Sequence, residues 1–279
     1  MKSKLTLHNQ QLTSFPEMPD GLIELSVFNN LLEIIPERLW ELKELEVLNL
    51  SANKFTSISY KIGQLQNLKM IDLGHNLINE IPPSIGTLFN LDSYLYLHNN
   101  RLKYLPDEIG ELKKLQYLNI SQNEIQELPS GIGKLTMMVE LKAEKNKLNI
   151  LPDSFFKLPQ LTELNMAGNQ LNILPVQMKF LEKLRVLNLE DNLMQNLPTE
   201  NYALNEIHLR NNLIEKIPDS IINLVNLRKL DLRGNKITIV PEILLELPNL
   251  ERLDLRWNPI DNIPSWISRL KEKECLVYF

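Results

Sequence analysis

A single recurring motif constrains the fold of this chain more than any other feature. The motif returns about every 23 residues along nearly the whole sequence and has the form L-x-x-L-x-L-x-x-N-x-L-x-x-L-P-x-x-I-x-x-L. The unit that begins at Leu115 follows it throughout, with isoleucine in two of the leucine positions. A unit this short cannot bury its own apolar side chains, so neighbouring units must stack into one continuous core. The asparagine position of the twelve units falls at Gln10, Asn30, Asn53, Asn76, Asn100, Asn123, Asn146, Asn169, Asn192, Asn212, Asn235 and Asn258.

Each part of the motif predicts a local structure. In the L-x-L segment the side chains alternate between two faces, which indicates a short strand with both leucines in the core and the residue between them facing outward. The asparagine follows where the chain turns, and its amide can satisfy buried backbone groups that the turn leaves unpaired. The proline and the I-x-x-L segment then predict a short helical turn, because residues three apart share one side of a helix.

Some units depart from this pattern. Pro16, Pro19 and Gly21 predict an extended first outer segment, and the short distance from Pro198 to Leu204 predicts a second outer segment without a full helical turn. One extra residue at 92–93 predicts a bulge at the start of the next strand. Residues 265–279 are predicted to form a closing segment whose final residues, 276–279, lie as a strand.

On these residues the sequence resembles the leucine-rich repeat family, whose period is about 20 to 29 residues. Its 23-residue units resemble the Ras-group and bacterial intracellular members, whereas the short unit around Phe15-Pro16 is similar to the 20-residue repeats of bacterial effectors, which favours a bacterial source. The resemblance implies one α/β domain over 1–279, a right-handed curved horseshoe with a parallel sheet on its concave face. Short helical or extended segments would form the convex face. It also implies a non-catalytic scaffold, acting in signalling, that binds a protein partner on the concave face.

Composition and charge exclude several alternatives. Cys275 is the only cysteine, so neither an intrachain disulfide nor a cysteine-rich zinc site can form. The sequence has no apolar run typical of a signal peptide or of a membrane span, which predicts a cytoplasmic location without membrane contact. A net charge of −5 and a pI of about 5.6 argue against non-specific nucleic-acid binding.

No motif predicts catalysis, a cofactor or a metal. The segment Gly131-Ile-Gly133-Lys134 faintly resembles a phosphate-binding loop, but Leu128 stands where that loop needs its first glycine. Only two of the four histidines, His75 and His98, fall on adjacent strands, and a zinc site needs three or four converging ligands. Without a nucleophile and base in a repeating geometry, we expect no enzymatic activity.

Aromatic residues mark the first candidate binding surface. Tyr94, Tyr96 and Tyr117 fall at outward positions on two neighbouring predicted strands. Clustered exposed aromatics are typical of binding sites, and tyrosine is common in binding hot spots. The alternative is that the rings pack on one another and only stiffen the sheet. Three further residues are predicted to surround the tyrosines: Phe28, Met70 and His98.

A second candidate surface lies near the C-terminus. Arg210, Arg233 and Arg256 occupy one position in three consecutive units, and Trp257 follows the last of them. Because neighbouring strands lie about 4.8 Å apart, these arginines would form a positive ridge. The alternative is that aspartates one column away neutralise the ridge internally. The repeated strand polars likewise have a structural interpretation, as lateral hydrogen-bonding partners within the sheet.

Two other functions stay open beside the scaffold. The chain could be the recognition part of a larger catalytic or signalling polypeptide, such as a GTPase or a ubiquitin ligase. It could also bind an acidic ligand through the arginine ridge, in which case binding would depend steeply on salt.

Overall fold

The computed structural model describes residues 3–279 of the chain. Its contacts separate two compact units. The first unit comprises Met1–Asn146 with Leu151–Leu158, and the second comprises Lys147–Ile150 with Pro159–Phe279.

Parallel strands in sequence order build the sheet of each unit. One strand falls in each of the twelve repeats, and a last strand falls in the C-terminal segment. In the first unit each strand from β1 to β7 pairs in parallel with the next. In the second unit the strands from β8 to β13 do the same. The first unit contains β1 (Ser3–Thr6), β2 (Leu22–Ser26), β3 (Val47–Asn49), β4 (Met70–Asp72), β5 (Tyr94–Tyr96), β6 (Tyr117–Asn119) and β7 (Glu140–Lys142). The second contains β8 (Glu163–Asn165), β9 (Val186–Asn188), β10 (Glu206–His208), β11 (Lys229–Asp231), β12 (Arg252–Asp254) and β13 (Leu276–Tyr278).

Short 3-10 helices follow most strands, as the proline and I-x-x-L segments predict. Pro129 shows the common arrangement: its backbone is extended, and its carbonyl accepts a hydrogen bond from the Ile132 N–H at 3.1 Å. Ser59 replaces this proline in the third repeat, and its hydroxyl accepts a hydrogen bond from the Lys61 N–H at 3.2 Å. The helices are η1 (Glu37–Glu41), η2 (Tyr60–Gln64), η3 (Pro83–Thr87), η4 (Asp107–Glu111), η5 (Ser130–Lys134), η6 (Asp153–Lys157), η7 (Val176–Phe180), η8 (Asp219–Asn223), η9 (Glu242–Glu246) and one α-helix, α1 (Ile267–Glu272).

The two irregular outer segments have the conformation that the sequence predicts. Residues 11–21 and 197–205, all of them described, contain no helix. In the second of these segments Asn201 is almost fully buried, and its amide donates to the carbonyls of Met178 and Leu181 at 2.9 Å each. This side chain therefore gives each of these two carbonyls, which already accept from a backbone N–H, a second donor.

The insertion in the fifth repeat lies ahead of its strand. Tyr94 pairs in register with Met70 and with Tyr117, so β5 itself is regular. The Ser93 hydroxyl donates to the Asp92 carboxylate at 2.9 Å, which holds the extra residue at the entrance of the strand.

The core consists of leucine and isoleucine layers joined to a row of buried asparagines. In β6 the central Leu118 is buried and the residues on either side of it are half-exposed, which confirms the predicted alternation. Asn123 confirms the predicted role of the asparagine: its Oδ1 accepts from the Leu102 N–H at 3.0 Å. Its Nδ2 donates to three carbonyls, those of Leu97 at 3.0 Å, Ile120 at 3.0 Å and Ser121 at 3.2 Å.

A left-handed residue precedes every asparagine of this row. Its φ lies between 51° at Asn99 and 67° at Gly168. Only two of these positions hold glycine, so most repeats accept the strain of a side chain there. The residues are Asn29, Ala52, His75, Asn99, Gln122, Lys145, Gly168, Asp191, Asn211, Gly234 and Trp257.

Glycines allow the 3-10 helices of the first unit to approach one another closely. A Cβ added to Gly110 would lie 2.2 Å from the Gly131 carbonyl oxygen, and one added to Gly131 would lie 2.1 Å from the Asp107 carbonyl oxygen. Lys134, in the same segment, pairs with Glu111 at 3.0 Å. The glycines that faintly resemble a phosphate-binding loop are therefore packing positions.

The C-terminal segment adds one helix and one strand to the second unit. Ile267 and Leu270 of α1 are buried, and β13 pairs in parallel with β12. Cys275 lies buried between them, and burial raises the pKa of its thiol to about 11. Among the described residues, no helix combines the length and apolar content needed to cross a membrane.

Candidate partner-binding surfaces

The side chains that flank the buried central residue of each strand form what we call the exposed sheet face. In the first unit, this face carries the three predicted tyrosines, which we call the tyrosine surface: Tyr94, Tyr96 and Tyr117. The rings of Tyr94 and Tyr117 are stacked, with centroids 4.8 Å apart and an angle of 25° between their planes. The ring of Tyr96 lies 5.3 Å from that of Tyr94. All three side chains are half-exposed, and the strand register brings them together.

The residues predicted around the tyrosine surface differ in where they lie. Met70 pairs in register with Tyr94, and the His98 ring meets that of Tyr96 edge to face at 6.0 Å. Phe28, however, follows β2, and strands β3 and β4 stand between it and β5. Its ring contacts His8 instead, at 5.7 Å. Phe28 is therefore outside the tyrosine surface, whereas Met70 and His98 border it.

His98 is more buried than its position on the exposed sheet face suggests. The imidazole occupies the space that a side chain on Gly74 would fill, since a Cβ there would lie 2.3 Å from a ring carbon of His98. Burial lowers the pKa of His98 below its ordinary value, and it raises the pKa of Tyr96. The Nδ1 atom of His98 is buried without a hydrogen-bond partner. His75 packs edge to face on the same ring at 4.7 Å.

In the second unit, the predicted arginines gather around one exposed indole. We call Arg210, Arg233, Arg256 and Trp257 the arginine–tryptophan cluster. The guanidinium carbons of the three arginines lie 5.4, 5.9 and 5.6 Å from the centre of the Trp257 ring, within the range of cation–π attraction. Trp257 is 63% exposed and has a φ of 63°.

Aspartates of the same chain neutralise the charges of two of the three arginines. The nearly inaccessible Asp254 accepts hydrogen bonds from Arg256, at 2.9 Å from Nε and 2.7 Å from Nη2. Asp231 accepts from Nε of Arg233, at 2.9 Å to each carboxylate oxygen. Burial raises the pKa of Asp254, but the hydrogen bonds and charge of Arg256 outweigh burial and hold that pKa below its usual range.

Arg210 differs from its two neighbours. Its Nε atom is buried and makes no hydrogen bond. Among residues 3–279, no carboxylate forms an ion pair with it. Neutralisation by aspartates, the alternative interpretation of the arginine ridge, therefore holds for Arg233 and Arg256 and not for Arg210.

The structure also brings together a histidine and two carboxylates that the motif did not single out. The possible ligand atoms of Glu190, His208 and Asp231 all lie within 4.8 Å of one another. Both oxygens of Asp231 already accept hydrogen bonds from Arg233. These three residues belong to three different repeats, and His208 and Asp231 are register partners on neighbouring strands, so the signal lies in the stacking of the repeats rather than in any local spacing. Because Arg233 occupies the Asp231 carboxylate, we assign no metal to this cluster.

Family comparisons agree with the repeat structure. A model described as "Leucine-rich repeat region" matches residues 88–200, and one described as "Leucine rich repeat" matches residues 43–93 and 203–260. The chain belongs to the leucine-rich repeat proteins. No curated protein sequence is significantly similar to it.

Solved structures similar to this leucine-rich repeat protein include bacterial and plant proteins. A leucine-rich repeat protein of Leptospira interrogans is 27% identical, with a TM-score of 0.64 over 93% of this chain and 84% of that one. The plant peptide hormone receptor RGFR1, solved in complex with RGF2, is 32% identical with a TM-score of 0.72. That match covers 86% of this chain but only 40% of the receptor chain. The leucine-rich repeat part of FLRT2, in a complex with latrophilin 3 and Unc5D, shares the fold at 24% identity, with a TM-score of 0.80 over 96% of this chain and 87% of that one.

Proposed function

We propose that this leucine-rich repeat protein is a non-catalytic scaffold that binds a protein partner on its exposed sheet face. The tyrosine surface of the first unit is the centre of the contact, with Met70 and His98 at its border. The observation that carries the proposal is the stacked, half-exposed arrangement of Tyr94 and Tyr117 with Tyr96 beside them.

The tyrosine rings are not needed to close the leucine core. In β5 and β6 the core positions are held by Leu95 and Leu118, which are buried beneath the tyrosine side of the sheet. Tyrosine offers a large contact area with few rotatable bonds, so ordering it on binding costs little entropy. Aromatic anchors that become fully desolvated contribute about 2 kcal/mol or more to an interface.

The comparison with RGFR1 supports a binding role. That receptor was solved in complex with RGF2. What RGFR1 binds is a property of the receptor, and the present chain spans 40% of it. The shared fold supports partner recognition without naming the partner, because repeat proteins keep their core and vary their surface.

The wider setting belongs to the same proposal. We propose one repeat domain over 1–279, a cytoplasmic location consistent with the single, buried and reduced Cys275, and a role in signalling in a bacterial cell. An alternative is that the chain is the recognition part of a longer catalytic polypeptide. A reading frame that continues into a GTPase or ubiquitin-ligase domain would favour this alternative.

A triple variant tests the tyrosine surface. The variant combines Tyr94→Ala, Tyr96→Ala and Tyr117→Ala. Its melting curve should match that of wild type except for the small effect of the lost ring–ring contacts. It should no longer capture the partner that wild type captures from a native lysate. After that partner is purified, calorimetry should show its affinity reduced by about 100-fold or more, since several anchors of about 2 kcal/mol are removed at once.

The control is a second triple variant of exposed tyrosines outside the tyrosine surface. It combines alanine substitutions at Tyr60, Tyr104 and Tyr202 and should retain the partner. Equal retention by both variants would place the contact elsewhere. Unfolding of the first variant alone would show that its rings are structural, as the alternative interpretation holds.

A further inference from the structure

We propose a second binding site, in the second unit, at which the Arg210 guanidinium binds a carboxylate group of a protein partner beside the Trp257 indole. This site shares no residue with the tyrosine surface and goes beyond the function proposed for it. The site is built from the residues that surround Trp257 on the exposed sheet face.

Arg210 differs from the arginines beside it because its guanidinium has no carboxylate partner in the part of the chain that the structure describes. Neighbouring arginines have carboxylate partners: Arg233 pairs with Asp231, and Arg256 with Asp254. Arg210 forms no ion pair among the described residues, and its Nε is buried without an acceptor. A buried N–H without an acceptor is costly. The Nη groups of Arg210 are not among the buried unpaired atoms, so they are the donors that a ligand carboxylate can reach without displacing an anionic partner.

The surroundings of Arg210 favour a carboxylate as that ligand. A guanidinium presents its N–H groups in a planar fork that matches the two oxygens of a carboxylate. Arg233 and Arg256 each pair with an aspartate, whereas no ion pair among the described residues includes Arg210. The Trp257 ring lies 5.4 Å from the Arg210 guanidinium carbon, and an ion pair formed beside an apolar ring is stronger than one formed in bulk water.

Trp257 itself is placed for contact rather than for the core. Its side chain is 63% exposed, and its backbone is left-handed, with a φ of 63°. Both features are unfavourable for a bulky aromatic residue. Tryptophan and arginine are both enriched in binding hot spots. The partner that fits has an acidic residue next to an apolar one.

The charges around the cluster favour a protein partner over a nucleic acid. Glu251 pairs with Arg228, and Glu206 with Lys229, so these basic side chains are already compensated. The chain as a whole carries a net charge of −5. A polyanion needs a run of unpaired cations, whereas one carboxylate needs only Arg210.

A titration followed by NMR tests the proposal on the full chain. The probe is the peptide N-acetyl-Leu-Glu-Leu-amide, with N-acetyl-Leu-Gln-Leu-amide as its uncharged counterpart and a ten-residue oligothymidylate as the nucleic-acid arm. The expected result is a saturable shift of the Arg210 Nε–H and Trp257 indole N–H signals with the glutamate peptide. The affinity for the glutamine peptide should be lower by at least about tenfold, because that peptide lacks the charge.

Three variants assign the binding to the proposed residues. Arg210→Gln should abolish the shift of the indole signal, and the control Arg228→Gln should retain it. Trp257→Gly should weaken binding, measured on the Arg210 signal, without loss of the fold, because glycine suits the left-handed backbone at this position.

Several results would overturn the proposal. They are equal affinity for the glutamate and glutamine peptides, undiminished binding in the Arg210→Gln variant, tighter binding of the oligothymidylate than of the glutamate peptide, or no saturable shift with any of the probes. The triple tyrosine variant should still bind the glutamate peptide. A failure of this site is therefore distinguishable from a failure of the tyrosine surface.

Discussion

Replacing one asparagine of the buried row measures how much that row stabilises the fold. In the fourth repeat, the Asn76 Oδ1 accepts from the Phe55 N–H at 3.1 Å. Its Nδ2 donates to the carbonyls of Leu50, Leu73 and Gly74, each at 3.1 Å. Leucine has nearly the same size but offers neither a donor nor an acceptor, so Asn76→Leu removes these bonds without a large change of volume.

The four hydrogen-bond partners of Asn76 are not equally affected by its replacement. The Leu50 carbonyl keeps a bond from Asn53 and the Leu73 carbonyl keeps one from Asn100. The Gly74 carbonyl likewise keeps its bond from the backbone N–H of the residue at position 52. The Phe55 N–H is left unpaired in the core, at a cost of about 1 to 3 kcal/mol.

The loss of the two amide hydrogens adds to this cost. Each of the lost bonds to carbonyls that keep another donor is worth about 1 kcal/mol. With about 1 kcal/mol for each of the two amide hydrogens added to about 1 to 3 kcal/mol for the Phe55 N–H, the variant should lose about 3 to 5 kcal/mol of unfolding free energy, measured by urea denaturation followed by circular dichroism.

The control lies three residues further along the chain. Asn79 is exposed, and Asn79→Leu should change the unfolding free energy by no more than about 0.5 kcal/mol. If both variants unfolded at the same urea concentration, the buried asparagines would not stabilise the turns, and the hydrogen-bond reasoning would be wrong.

Three further predictions concern packing, backbone strain and pH. Gly110→Ala should destabilise the chain by about 1 to 3 kcal/mol, because the added Cβ would lie 2.2 Å from the Gly131 carbonyl oxygen; an unchanged melting temperature would contradict the close approach of η4 and η5. Lys145→Gly should be stabilising by up to about 1 kcal/mol in urea unfolding, since relief of its left-handed φ of 53° outweighs the entropy that glycine adds to the unfolded chain; a clear destabilisation would refute this. Burial lowers the pKa of His98 in the folded chain below its ordinary value of 6.5, so its contribution to stability is present above that pH and is lost as the pH falls through the folded pKa. His98→Gln should accordingly make the melting temperature depend less on pH below about 6.5, and an identical pH profile would exclude this role.

The repeat period by itself determined the strands, the core and the order of the strands. L-x-L alternation depends only on the geometry of an extended chain, and stacking of identical units brings equivalent positions side by side. For this reason the contact between Tyr94 and Tyr117, which belong to consecutive repeats, was predictable. The same register shows that Phe28 is too far from β5, because two strands intervene.

Backbone details inside the turn depended on the tertiary structure. A left-handed conformation at Ala52, Gln122 and Lys145 has no sequence signal, because these residues do not prefer it. Hydrogen bonds of the following asparagine and of the neighbouring repeats impose it, at a strain that one repeat alone would not accept. The burial of His98 likewise depends on Gly74 in the preceding repeat, whose missing side chain makes room for the imidazole.

Side-chain pairing was also decided only in the folded chain. Repeat register places Arg210, Arg233 and Arg256 in one column beside Asp231 and Asp254, and this placement leaves both a free ridge and a neutralised one possible. Long arginine side chains reach several acceptors with small differences in energy, so the choice depends on burial and on the rings nearby. In the folded chain the two aspartates are taken by Arg233 and Arg256, and Arg210 is left against the indole without a carboxylate. Sequence periodicity determines the position on the sheet from which each side chain projects, whereas the local dielectric and the competing partners decide which contacts that side chain makes.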